Sequence, residues 1–145
     1  MEEQSFGMGR RSIDIMELNS PKVSVDKPAG ELFEALSDVN NYGRILPDNT
    51  TKFEVIDNDT FIFALKGFPE IKLRIKEKSA PGKIVLGAAG GSIPFQMTAY
   101  VVPDGDAKSE AQFYFEGQLN AMLAMMAKGP LTSLLNSMAG NLHKL

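Results

Sequence analysis

Histidine is the commonest acid–base side chain and metal ligand, and this 145-residue chain has one, His143, third from its end. A solvated helix terminus accounts for it there. There is no cysteine, which excludes a thiolate nucleophile, a thiolate metal site and a disulfide framework. No HExxH, no Cys/His cluster and no paired-carboxylate motif occurs, so neither a metal site nor a cofactor is expected. The polar groups left to polarise a carbonyl or move a proton are Tyr42, Arg44, Gln96, Tyr100 and Tyr114. Strand parity turns Gln96, Tyr100 and Tyr114 outward. Tyr42 and Arg44 fall in a turn, as the rim of an opening, and no catalytic residue is assigned.

Other stretches have simpler roles. The acids at Asp57-Asn58-Asp59-Thr60 and Pro103-Asp104-Gly105-Asp106 have the composition of hairpin turns. GAAGGS from Gly87 lacks the Lys-Ser/Thr ending of a phosphate loop and lies between two strands, so it reads as a hairpin at the mouth of a cavity. Lys72, Arg74, Lys76 and Lys78 form a basic stripe. A solvated sheet face explains them, and without stacking aromatics beside them nucleic acid is not an expected partner.

Fifteen basic and 18 acidic residues leave a net charge of −3, which gives no general attraction to nucleic acid or anionic lipid. The length suits one domain around one core, with residues 1–11 as a polar tail and 12–145 as the domain. The opening MEEQSFGMGRRSIDIM has no apolar run of the kind a signal peptide or membrane span needs. A cytoplasmic chain without integral membrane association is expected.

The elements that would position a site follow from periodicity. Ser12 to Asp26 alternates at Ile13 and Ile15 and again at Val23 and Val25, as a half-buried strand interrupted at Pro21. DKPAGELFEALSD has Asp26 as N-cap, Pro28 in the first turn, and Leu32, Phe33 and Leu36 at helical spacing. A second short helix or turn ends at Pro47. The middle of the chain then alternates in segments split by turn residues, most clearly Ile71, Leu73 and Ile75 against Lys72, Arg74 and Lys76. Together these segments predict an antiparallel meander.

The C-terminal stretch AMLAMMAKGPLTSLLNSMAG holds four of eight methionines. On a helical projection Leu119, Met122, Leu123 and Met126 cluster on one side. Leu131, Leu134, Leu135, Met138, Leu142 and Leu145 cluster about one residue's rotation away. The offset falls at Gly129-Pro130, where proline removes a donor and crowds the preceding turn. A kink or break there, between a segment from Leu119 to Lys128 and a longer one starting at Pro130, would turn both stripes to one surface.

The order strand, two short helices, strand meander and long C-terminal helix resembles the helix-grip superfamily of START lipid-transfer domains and birch-pollen-allergen proteins, also called SRPBCC or polyketide cyclase/dehydrase-like. DKPAGELFEALSDVNNYGRILPD is similar to its opening helical segment. SIPFQMTAYVVP and FYFEGQLNAMLAMMAKGPLTSLL are similar to the last two strands and grip helix of small bacterial members. The resemblance implies an α+β helix-grip fold, with a curved antiparallel sheet of about six or seven strands wrapped on a long helix kinked near Pro130. It also implies that a small hydrophobic molecule such as a lipid, isoprenoid or aromatic polyketide binds between sheet and helix. Parity gives that interior Phe63, Leu73, Ile75, Leu86, Phe95, Met97, Phe113 and Phe115, and the helix adds Met122, Met126, Leu134 and Met138. Tyr42 and Arg44 are its rim. The superfamily offers two alternatives, a cyclase/aromatase-like enzyme and a co-chaperone-like protein-interaction module with an unknown partner.

Overall fold

Alternating side chains build strands along most of the chain, and the computed structural model describes residues 13–80, 82–90 and 94–145. The expected tail, residues 1–11, and Gly91 and Ser92 of the glycine-rich hairpin lie outside the described residues. In chain order the strands are β1 (Ile13–Asn19), β2 (Val23–Val25), β3 (Thr50–Asp57), β4 (Thr60–Leu65), β5 (Ile71–Ser79), β6 (Lys83–Ala88), β7 (Phe95–Asp104) and β8 (Lys108–Asn120). They form one curved antiparallel sheet in the order β1-β8-β7-β6-β5-β4-β3, with β2 also pairing β8. Among the described residues the strands number eight, one more than the upper expectation, because the opening segment splits in two around Pro21.

Parity holds from β4 onward. Phe61, Phe63, Leu73, Ile75, Ile84, Leu86, Met97, Ala99, Phe113 and Phe115 are buried, while Lys72, Arg74 and Lys76 are exposed. In β1 the expected dry face is reversed. Pairing with β8 sets Met16 opposite Gly117 and Leu18 opposite Phe115, so Met16 and Leu18 pack on the core and Ile15, opposite Gln118, is exposed. Both phases of this strand carry apolar residues, and the register decides between them. The acidic turns form as expected: the Asp59 amide donates to the Asp57 side chain at 2.9 Å, and Gly105 takes a φ of 79°.

The helix α1 (Ala29–Leu36) buries Ala29, Leu32, Phe33 and Leu36. Pro28, not Asp26, holds the N-cap position, and no side chain caps this helix. Asp26 instead lies 3.6 Å from the Lys108 ammonium. A 3-10 turn at Val39–Asn41, capped by Asp38, leads into α2 (Tyr42–Ile45), which ends before Pro47. The amide and side-chain NH₂ of Asn40 both donate to the Asp38 carboxylate and hold its pKa below the usual range.

The last helix, α3 (Ala121–Gly140), is one 20-residue element running through Pro130. The expected two segments are not separate, and Leu119 belongs to β8. Its inward stripe is Ala124, Ala127, Leu131, Leu134, Leu135 and Met138, spaced three and four apart with no change of phase. The helix can be continuous because alanines, and not the larger methionines, face the sheet in its first half. It packs on β8, β1 and α2, and the side-chain NH₂ of Asn141 fixes its far end by donating to the Ile45 carbonyl at 3.1 Å.

Candidate functional site

Most of the residues expected to line the interior belong to one core cluster shared by the sheet and the second half of α3. Phe63, Leu73, Leu86, Met97, Phe113, Leu134 and Met138 are all buried, none more than 3 % exposed. A side chain walling a void that admits water would show surface to it, so this part of the interior is packed. Its centre is aromatic. The Phe61 ring lies 5.1 Å from that of Tyr42, 5.6 Å from Phe53 and 6.0 Å from Phe63.

Packing loosens toward the end of the sheet from which α3 departs. There Ile71, Ala88, Phe95 and Met16 are half-buried, with Phe95 and Met16 flanking Gly117 on neighbouring strands. The Phe95 and Phe115 rings stack at 5.7 Å, and a Cβ on Gly117 would sit 3.0 Å from the Phe115 ring and 3.1 Å from Phe95. Glycine is what lets these aromatics lie against the strand. Ile75 and Phe115, both buried, occupy the next row inward.

The first half of α3, which follows directly from this end of β8, has an inverted polarity. The Asn120 side chain accepts a hydrogen bond from the Leu123 amide at 2.9 Å and starts the helix. Ala127 is buried and Ala124 half-buried, while Met122, Met125 and Met126 are 72 %, 83 % and 67 % exposed, with Leu123 exposed beside them. The placement of Met122 and Met126 in the interior is therefore corrected. The helix turns its small side chains to the sheet, which carries the larger methionines outward. Fully burying such a side chain yields about 1.5–3 kcal/mol, so leaving three in water forgoes several kcal/mol. Clusters of this kind mark surfaces that something else covers.

The expected rim does not form. Tyr42 is 0 % exposed, and its hydroxyl donates to the Leu36 carbonyl at 2.6 Å. Burial pushes its phenol pKa well above the ordinary value. Tyr42 is a core residue tying α2 to α1, and Arg44 is exposed. Tyr42→Phe is expected to lower stability by about 1–2 kcal/mol in urea titration, because a carbonyl loses its buried donor. Gln96 and Tyr100 face outward, as does Tyr114, whose hydroxyl donates to Glu17 at 2.8 Å and whose pKa is raised to about 12, first by that bond. Buried polar groups among the described residues are Ser20, Thr60, Thr98 and Ser109. None of these is an acid or a base. Ser20 and Ser109 bind backbone carbonyls, and Thr60 accepts from Arg74. His143 is exposed, its Nδ1 2.9 Å from the Gly140 carbonyl.

A depression of about 300 Å³ opens on the sheet, walled by Lys76, Gln96, Glu116 and Gln118 together with Ile15, Ala88, Pro94 and Phe95. A Cβ on Gly87 would meet the Lys76 stem at 2.6 Å, so the lysine lies flat across the strand. The depression's open form and its charged and amide groups suit an apolar ligand poorly. Among the described residues no helix is long and apolar enough to cross a membrane.

Solved structures with this architecture are numerous. A norcoclaurine synthase point mutant from Thalictrum flavum, in complex with a transition-state analogue, superposes with a TM-score of 0.74 at 18 % identity, covering 93 % of this chain and 96 % of that one. The Zhui aromatase/cyclase from Streptomyces sp. R1128 gives 0.67 at 14 % identity, over 90 % and 95 % of the two chains. A START superfamily protein from Mycobacterium smegmatis gives 0.64 at 13 % identity, over 88 % and 97 %. No protein-family profile and no curated protein sequence matches the chain. At these identities the likeness concerns architecture alone, and the chain has the helix-grip fold that these structures share.

Proposed function

We propose that this protein binds a small apolar molecule between the sheet and the first half of α3, and that the packed interior is its closed state. The observation that carries this reading is the inverted first half of α3. In that half the only buried or half-buried residues are Ala124 and Ala127, and Gly129-Pro130 follows as a weak point in the backbone ladder. Swinging residues 121–130 outward would uncover Phe95, Phe115, Ile75 and Met97, apolar surface that the bound molecule would cover again. Affinity would come from apolar area at about 25 cal/mol per Å², less the cost of opening. The acyl chain of a lipid, an isoprenoid or an aromatic polyketide meets that requirement. A cyclase-like reading gains less support, because Tyr42 is locked in the core and Arg44 faces water.

The test is titration with the neutral fluorophore phenylnaphthylamine, together with native mass spectrometry of the purified protein. Saturable one-to-one fluorescence enhancement, displaced by a fatty acid or an aromatic polyketide, is expected. No enhancement and no bound species would overturn the proposal.

A further inference from the structure

We infer that the N-terminal segment, residues 1–12, docks on the exposed methionine face of α3. Three observations meet at this face. First, α3 exposes Met122, Met125 and Met126, and over its length it carries one charge, Lys128, and no acid. Second, the segment joins the fold beside that face: Ile13 pairs with Asn120, the residue that caps α3, and Asp14 pairs with Leu119. Third, its composition matches the face in order. Going away from Ile13 the segment presents Arg11 and Arg10, then Met8 and Phe6, and then Glu3 and Glu2; going away from Asn120 the helix presents Met122 to Met126 and then Lys128, so the apolar pair falls opposite the methionines and the acids opposite the lysine.

The lengths agree. Lys128 lies eight residues into the helix, about 12 Å from Asn120 at the helical rise. Glu3 is ten residues from Ile13, a reach of up to about 33 Å when extended, which leaves slack for the chain to turn onto the helix. Apolar contacts at Met8 and Phe6 would hold the segment down, and the acids would set its direction through Lys128. This contact does not depend on what fills the interior, because the outer face of α3 is the same in either case.

The natural absence of cysteine makes the test direct. Two double variants are compared: Phe6→Cys with Met125→Cys, and Phe6→Cys with Val102→Cys, whose second position is exposed on the opposite face of the sheet. Under mild oxidation at low protein concentration, docking predicts that the first pair closes within one chain at least about tenfold faster than the second, reflecting its higher effective concentration. As an independent readout, hydrogen peroxide should oxidise Met122, Met125 and Met126 several-fold faster in a chain lacking residues 1–11 than in the full chain. Equal closure of the two pairs, or equal oxidation of the two chains, overturns the inference. So do disulfides between chains for the first pair, which would identify a second copy as the occupant. Binding of the full chain to phosphatidylcholine vesicles as strong as that of the truncated one would overturn it too, marking the face as open to lipid.

Discussion

Pro130→Ala is expected to stabilise the protein by about 2 kcal/mol while slowing the uptake of an apolar probe. Proline inside α3 has no N–H to give the Met126 carbonyl, and in a helix interior it costs about 3 kcal/mol relative to alanine. Part of that gain is offset by the unfolded chain, which recovers about 0.4–1 kcal/mol of conformational freedom when proline is removed. Pro130 is exposed, so alanine leaves no cavity. A higher urea midpoint at unchanged slope would report the stability change. Amide exchange should slow across residues 121–130 more than across 131–140, because the restored hydrogen bond closes the point at which the first half opens. An unchanged midpoint with unchanged probe uptake would mean that Pro130 is not the weak point of the helix.

The largest loss is expected at the centre of the aromatic cluster. Phe61 is 1 % exposed and packs on Tyr42, Phe53 and Phe63. Phe61→Ala leaves a cavity bounded by three rings from α2, β3 and β4, and is expected to cost about 3–5 kcal/mol. Against a total stability of about 5–15 kcal/mol that is a large fraction, and at about 2–4 °C per kcal/mol the midpoint falls by some 6–20 °C. Ile56→Ala, on the neighbouring strand but 45 % exposed, is the control and should change stability by less than about 0.5 kcal/mol. A loss at Phe61 no larger than at Ile56 would show that the interior is already loosely filled.

Much of the sheet was legible because one phase of each strand is charged. In β5, Lys72, Arg74 and Lys76 leave Ile71, Leu73 and Ile75 no choice of face. In β1 both phases are apolar, with Ile15 on one and Met16 and Leu18 on the other, so only the pairing with Phe115 and Gly117 fixes the dry side. The same ambiguity hid the geometry of α3. A projection weighted by side-chain size places Met122 and Met126 inside and then needs a correction at Pro130. The spacing Ala124, Ala127, Leu131, Leu134 and Met138, read without regard to size, already describes one continuous stripe. Tyr42 was misplaced for another reason. Nothing in NNYGRIL distinguishes a tyrosine at a rim from one whose hydroxyl finds the Leu36 carbonyl six residues back.

The methionine methyl groups give the most direct measurement of where an apolar molecule goes, because they sample both sides of α3. Met97 and Met138 are buried, Met16 is half-buried near Phe95, and Met122, Met125 and Met126 are exposed. In a titration of methyl-labelled protein with phenylnaphthylamine, entry beneath the first half of α3 predicts saturable shifts at Met97 and Met16, with smaller changes at Met138. Shifts confined to Met122, Met125 and Met126, with Met97 and Met16 unmoved at saturation, would contradict an interior site and place the ligand on the outer surface of the helix.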